Sequence, residues 1–345
     1  MRTLSRLALI PLVLAGCALE DAPEPTTSAV EQQLRCGDWM CGSNSPEIEN
    51  LGIAELNIRG LPNANGFRLL QLDKNGITYR TYVTGGELRA TSLDGASQLG
   101  GDQLTGATLR VKHDASELKY DIRIANVSKT LYWARLNGAT HSTRTYRLEW
   151  SLSTQVGEKQ WKNICSEAGT ADPLVMDPFH AVLFEGDRIV ASDKVVGSVD
   201  SDWFNIGCAG HALAKLHLTA HTEGARARGF ATSLVERTTM LKMLTADYCG
   251  TGRPFTVAGV DLTWKDHRGW MVFDPALAPV EARWTAAGAA CLNKPRLVAN
   301  PTQLGTDQFG SSAQLEAAIT KECPNGRPPT CAVTRTSYHL ISGNP

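Results

Sequence analysis

Between residues 145 and 152 apolar and polar side chains alternate. Tyr146, Leu148, Trp150 and Leu152 fall on one side, and Arg147, Glu149 and Ser151 on the other. A period of two belongs to a half-buried strand. Shorter runs of strand character cover residues 54–58, 67–72, 77–83, 107–112, 120–124 and 130–136. The pairs Asn65-Gly66, Asn75-Gly76 and Gly85-Gly86 lie between several of them as turn signals. Strands at this spacing predict a β-sandwich or barrel-like domain over residues 36–165.

Beyond residue 165 the pattern becomes mixed. Residues 181–191 predict a hairpin, with A-V-L-F and R-I-V-A joined through Glu185-Gly186-Asp187. Phe230, Leu234, Leu241 and Leu244, with Val235 beside them, stand at helical spacing over residues 231–245. Ser311-Ser312-Ala313-Gln314 has the S-x-x-Q form of a capping box, and Leu315, Ala318 and Ile319 supply an apolar stripe behind it. The fold class is α+β and strand-dominated. A smaller disulfide-stapled α+β domain is predicted over residues 166–298, followed by a C-terminal extension, 299–345, with a short helix and a Cys323–Cys331 loop.

The first 16 residues have the three parts of an export signal. Arg2 and Arg6 charge its start, L-A-L-I-P-L-V-L forms its core, and Leu14-Ala15-Gly16-Cys17 closes it. Eight apolar residues are far short of the roughly 20 needed to span a bilayer, so the segment is expected to be a signal peptide. The closing tetrapeptide resembles a bacterial lipobox, which makes Cys17 the expected lipid attachment residue. Acyl chains such as palmitate would anchor the chain, since two or three hold essentially permanently where one does not. Ala18 after the cysteine points to the outer membrane. Residues 17–35, with two prolines and four acids, predict a flexible tether.

Without the leader's two arginines, 34 basic residues become 32 against 35 acidic ones, and no basic block occurs. Nucleic-acid binding therefore has no electrostatic footprint. The expected partner is the membrane, through covalent lipid, and a protein or glycan partner stays open. Nine cysteines occur, and lipid on Cys17 leaves an even eight: Cys36, Cys41, Cys165, Cys208, Cys249, Cys291, Cys323 and Cys331. In an oxidising compartment these are disulfide candidates. The expected pairs are Cys36 with Cys41, Cys323 with Cys331, and the other four among themselves.

Residues 245–266, T-A-D-Y-C-G-T-G-R-P-F-T-V-A-G-V-D-L-T-W-K-D, resemble the core of the ADYC domain family of bacterial, often lipid-anchored proteins. The motif is Ala246, Asp247, Tyr248 and Cys249. Gly207-Cys208 with Ala212-Leu213-Ala214-Lys215 upstream, and Glu281-Ala282-Arg283-Trp284 with Gly288-Ala289-Ala290-Cys291 downstream, extend the resemblance over about 205–297. The family pattern expects cysteines where Leu216 and Thr238 or Thr239 stand, as though one disulfide were lost as a unit. The resemblance implies a framework role for Cys208, Cys249 and Cys291, and it names no activity.

Cys249 is the one candidate nucleophile, since a thiolate paired with a nearby histidine is the machinery of cysteine hydrolases. An even cysteine count outside the cytoplasm favours a disulfide, with Asp247 a turn or cap residue and Tyr248 a core aromatic. His217 and His221, with His211 upstream, have a spacing seen in zinc sites. Alternation of Ala214, Leu216, Leu218 and Ala220 favours a strand with surface histidines. No C-x-x-C or H-E-x-x-H occurs, so no metal or other cofactor is expected. Asp200-Ser201-Asp202 lacks a calcium loop's regular oxygens, and Asn126-Val127-Ser128 is expected to be a turn. Trp39, Trp203 and Trp270 flank Gly or Asp, where a ring can stack on a sugar or cover a domain edge. The function expected is a non-catalytic binding or structural module at the cell envelope. The alternative is an extracytoplasmic hydrolase with a dispersed site.

Overall fold

The computed structural model describes residues 45–165, 176–257, 260, 262–271, 279–299, 309–332 and 340–344. In chain order the first strands are β1 (Glu47–Ile48), β2 (Leu51–Gly52), β3 (Glu55–Asn57), β4 (Phe67–Lys74), β5 (Ile77–Thr84), β6 (Glu87–Ser92) and β7 (Gln98–Gly100). Next come β8 (Thr108–His113), β9 (Lys119–Leu131), β10 (Ser142–Leu152), β11 (Lys162–Asn163), β12 (His180–Val190) and β13 (Val195–Cys208). Helices α1 (Ala212–Leu218) and α2 (Leu234–Leu244) follow, then β14 (Thr263–Asp266), β15 (Val280–Thr285), β16 (Gly288–Leu292), α3 (Arg296–Ala299), α4 (Ser312–Glu322) and β17 (Leu340–Gly343). The fold is strand-dominated α+β, as the alternation predicts.

One antiparallel sheet of eleven strands runs β3-β13-β12-β10-β9-β8-β4-β5-β6-β7, with β11 beside β10. It curls around one core that takes in Phe67, Leu72, Leu88, Ile122, Tyr146, Leu148 and Ile206. Strands far apart in the ladder meet across that core. The Leu88 amide of β6 donates to the Tyr146 hydroxyl of β10 at 2.9 Å. The Gly85 and Gly86 amides donate to the Glu185 carboxylate of β12 at 2.6 and 3.1 Å. A continuous sheet curled until β6 meets β10 and the β5–β6 turn meets β12 follows the barrel-like alternative of the sequence reading, with its edge strands β3 and β7 left unpaired with each other. Asn75-Gly76 and Gly85-Gly86 make the predicted turns, all four residues having positive φ, the signature of a two-residue type I′ hairpin.

The large sheet does not stop at residue 165. Its strands β12 and β13 lie beyond that boundary, and Cys165 is disulfide-bonded to Cys208 at the end of β13. The expected hairpin at 181–191 is instead one strand, β12. Its Glu185-Gly186-Asp187 is a kink with Gly186 at φ +94°, facing a bulge in β13: the register jumps from Phe204 to Asp200 and leaves Ser201, Asp202 and Trp203 of β13 without partners on β12. A glycine at positive φ serves a kinked strand opposite a bulge as well as it serves a turn, which is why the sequence reads as either. The kink points Glu185 at the β5–β6 turn and Asp187 at α2. Of residues 130–136 only Thr130 and Leu131 belong to a strand, while Asn126-Val127-Ser128 lies inside β9 and is no turn.

A second core joins α2 and α4 to a four-stranded sheet ordered β14-β17-β15-β16. Since β17 sits between β14 and β15 and α4 packs in the same core, the described residues of the expected C-terminal extension are part of this unit. Ser311 caps α4 by accepting the Gln314 amide, and Leu315 and Ile319 are buried, as the capping box and stripe predict. Residues 212–218 form a helix where a strand is expected. Leu213, Ala214, Leu216, His217 and Leu218 are all buried, so covering on nearly every side erases the 3.6-residue signal.

A Cβ on Gly86 would lie 2.8 Å from Cε1 and 2.9 Å from Nε2 of His217, at a backbone φ of +72°. Gly86→Ala therefore combines overpacking with left-handed strain, and a loss of about 2–4 kcal/mol is expected from urea denaturation. An unchanged midpoint would mean that the His217 ring is free to shift.

Candidate functional site

The A-D-Y-C turn follows directly from α2. Thr245 ends the helix, Ala246 takes φ +50°, and Asp247, Tyr248 and Cys249 are each directed to a different part of the molecule. Asp247 is fully buried. Its Oδ2 accepts from Lys242 Nζ at 2.6 Å and from the Gly252 amide at 2.8 Å. The same ammonium donates to the carbonyls of Gly250, at 3.0 Å, and Asp193. Asp193 belongs to the turn between β12 and β13, so this ion pair ties the large sheet to the motif. Gly252 makes the fit possible, because a Cβ there would overlap the Ser192 carbonyl oxygen at 1.6 Å. Burial raises the Asp247 carboxyl above its ordinary range, opposed by the hydrogen bond and charge of Lys242. Burial also lowers neighbouring Lys194 to about 8.

Tyr248 turns the other way. Its hydroxyl donates to Glu281 Oε1 at 2.5 Å, on β15. Glu281 also takes Arg296 in a fork, Nε to Oε1 and Nη2 to Oε2, both at 2.9 Å, and the Ser342 hydroxyl at 2.7 Å. Ser342 in turn accepts from Trp284 Nε1 at 2.8 Å. Tyr248 stacks on Trp284 with ring centroids 5.4 Å apart. Burial, and then the Glu281 charge, push the Tyr248 phenol well above its usual value. The downstream E-A-R-W element thus meets the motif through its first and last residues.

Cys249 is disulfide-bonded to Cys323 at the end of α4, and Cys291 to Cys331. These two links interleave, so the expected Cys323–Cys331 pair is not formed; of the 165–291 group Cys165 and Cys208 do pair with each other, while Cys249 and Cys291 pair outside it. Arg327 explains the outcome. Its guanidinium holds the carbonyls of Leu292 and Asn293, which brings Cys331 to Cys291 across the sheet edge. Closeness in sequence gave way to closeness in space. Cys17, Cys36, Cys41 and Trp39 lie outside the described residues. Leu216, Thr238 and Thr239 are all buried, on helices that pack on each other, and Thr238 Oγ1 accepts the Val196 amide at 3.0 Å.

The histidines are interior, contrary to the surface expected for them. His217 Nε2 lies 3.0 Å from both the Tyr132 and Thr143 hydroxyls, Nδ1 lies 2.8 Å from the Thr222 hydroxyl, and the ring stacks on Phe184. Burial, with a further push from Arg228, lowers its pKa to about 3. His221 is past the end of α1, donates Nδ1–H to the Thr219 carbonyl at 2.7 Å and is lowered by burial to about 4. The two rings serve separate partners. No group of three or more His, Cys, Asp or Glu side chains suited to a metal occurs among the described residues. Asp200 and Asp202 also have local work: Asp200 accepts the Asp202 amide, and Asp202 pairs with Arg59 at 2.7 Å. Trp203 is buried under Arg188 at 3.5 Å, and Trp270 is buried against Phe230 and His221, so neither ring is open to stack on a sugar.

The sequence reading missed a second buried ion cluster. Arg237 of α2 reaches Asp187 Oδ1 at 2.7 Å and Glu223 Oε2 at 2.5 Å. Burial raises Asp187 to about 6 despite the arginine. A signal for Lys242 was present in M-L-K-M-L, since a lysine amid apolar residues in a covered helix needs a carboxylate partner. Arg237 and Asp187 carry no such local mark.

This arrangement defines a class, an α+β protein stapled by disulfides and buried ion pairs, with its signature residues inside. A family model described as the ADYC domain matches residues 101–298, more than half of the chain, and the chain belongs to that family. The match begins about a hundred residues before the stretch that carries the resemblance, and so takes in strands β8 to β13. No curated protein and no solved structure matches the chain. The three disulfides among the described residues are consistent with a location outside the cytoplasm. Among the described residues no helix is long and apolar enough to cross a membrane.

Removing one partner of the Lys242–Asp247 pair strands a buried charge. Lys242→Met is expected to cost about 3–5 kcal/mol in chemical denaturation, with the double variant Lys242→Met/Asp247→Leu recovering much of it. A tolerated single variant would show that the pair does not join these segments. A pH effect comes from Glu236. Burial raises its carboxyl, but hydrogen bonds from Arg268 and Ser233 and the arginine's charge prevail and hold it at about 2. A depressed folded-state value gives stability that is present above the ordinary carboxyl value of 4.5 and is lost as pH falls towards 2. The melting temperatures of wild type and Glu236→Gln should therefore converge between pH 5 and pH 3; a constant gap would contradict the assignment.

Proposed function

We infer that the chain is a lipid-anchored cell-envelope protein whose folded part is a non-catalytic binding or structural module. Acyl chains on Cys17 hold it at the outer membrane, and residues 18–35 set it clear of the headgroups. The observation that carries the non-catalytic part is the state of Cys249. The one candidate nucleophile is bonded to Cys323, and its motif neighbours Asp247 and Tyr248 are buried in ion-pair and hydrogen-bond networks. The export signal, the lipobox and the oxidised cysteines support the location.

Cys17→Ala is expected to move the protein from the membrane pellet to the soluble envelope fraction and to abolish labelling by palmitate. A variant that still pellets and still takes up label would refute the anchor. Alkylation of the denatured, unreduced protein should leave Cys249 unmodified; a labelled Cys249 would move the hydrolase reading to first place.

A further inference from the structure

A cleft of about 270 Å³ opens between the β5–β6–β7 end of the large sheet and β10. Tyr82, Glu87, Arg89, Gln98, Gln103 and Arg144 line it around the backbone of Gly100 and Gly101. The two guanidiniums approach that backbone closely. A Cβ on Gly101 would lie 2.8 Å from Arg144 Nη2, and one on Gly100 would lie 3.4 Å from Arg89 Nη1. Gly101 also has φ +56°, so neither the backbone angle nor the space there suits a larger residue.

The charges around the cleft are unbalanced. Glu87 gives one oxygen to Arg89 at 3.2 Å and the other to Arg228 at 2.7 Å. Asp102 meets Arg144 at 2.6 Å, but its side chain is 83% exposed, so water competes strongly for it. Lys74 reaches the Gln103 carbonyl at the rim. Two cations and one carboxylate thus line the cleft, that carboxylate is shared with Arg228 outside it, and the partner of Arg144 lies in water. Arg144 Nε is buried with no hydrogen-bond partner.

We propose that this cleft binds an acidic saccharide: the carboxylate or phosphate is held by Arg89 and Arg144, one sugar face lies on Tyr82, and Gln98 and Gln103 meet the hydroxyls. Guanidinium forks suit planar or tetrahedral oxyanions. The volume lies just under the roughly 300–1,000 Å³ of small-molecule sites, which limits the occupant to about one sugar ring. Tyr82 stands directly opposite Arg89 on β5 and β6, so ring and cation face one ligand together. The site deepens the binding-module reading and rests on it, but it does not depend on the lipid anchor.

The test is calorimetric titration of the full-length protein in detergent micelles with glucuronate, glucose 6-phosphate, glucose and inorganic phosphate. Binding of glucuronate or glucose 6-phosphate, but not of glucose, is expected, and whichever binds more tightly tells whether carboxylate or phosphate is the natural anion. Arg144→Gln should weaken that binding at least about tenfold, the loss of one charge-assisted pair. Asp102→Asn should tighten it several-fold by freeing Arg144, a gain that structural damage would not produce. The proposal is overturned if neither acidic sugar binds, if glucose binds equally well, if inorganic phosphate matches glucose 6-phosphate, or if Asp102→Asn leaves affinity unchanged. Cys17→Ala should bind as wild type does, so failure of the anchor and failure of the site remain distinguishable.

Discussion

An ammonium group withdrawn from water has to recover its lost hydration from carbonyls and a carboxylate, and Lys242 does so where three segments of the chain converge. The helix supplies the ammonium, the A-D-Y-C turn answers with the Asp247 carboxylate and the Gly250 carbonyl just beyond it, and the β12–β13 turn adds the Asp193 carbonyl. Loss of any one of these oxygens leaves the charge incompletely satisfied. The interaction therefore works less as a source of net stability than as a registration device that admits one docking of the second core on the large sheet. Tyr248 and Cys249 continue from the same turn, one into the Glu281–Arg296–Ser342 network and the other into the disulfide with Cys323. Arg237 with Asp187 and Glu223 adds a second ionic joint between the same two parts.

The signature residues of the family are thus explained by architecture. An aspartate, a tyrosine and a cysteine in succession look like chemistry when written as a string. Folded, each faces a different partner, and none faces solvent with a reactive group free. What is open to solvent is the far end of the large sheet, where Arg89 and Arg144 converge over two glycines. Framework and candidate ligand site lie in different parts of the fold, so the motif that names the family need not predict what a member binds.

Much of the large sheet was legible because one face of its strands is apolar and in the core while the other is polar, the alternation seen in Tyr146, Leu148 and Trp150, although Glu149 and Ser151 on the polar face of β10 are themselves covered. The left-handed turns were legible for a local reason, since Asn-Gly and Gly-Gly pairs adopt positive φ. The helix α1 was not legible, because burial of His217 along with its leucines removed the polar face that periodicity needs. The kink at Gly186 was hidden because a left-handed glycine fits a bent strand and a turn alike. Disulfide connectivity was out of reach because it depends on where Arg327 carries the chain, not on spacing. The cleft residues Tyr82, Arg89, Gln98 and Arg144 come from four strands, and nothing local marks them as neighbours.

The position of β17 has a consequence for how the molecule assembles. Residues 340–343 fill the middle of the four-stranded sheet, between strands that begin at Thr263 and Val280. The ladder of the large sheet, by contrast, is complete once Cys208 has been reached. A chain delivered amino end first can close its barrel-like half early, while the other half stays open until its final strand arrives. During that interval Cys249 and Cys291 are both present before either partner, Cys323 or Cys331, has emerged. They would pair first with each other or with small thiols, so reaching the interleaved native links calls for exchange chemistry, and the maturation rate becomes a matter of thiol traffic as much as of folding.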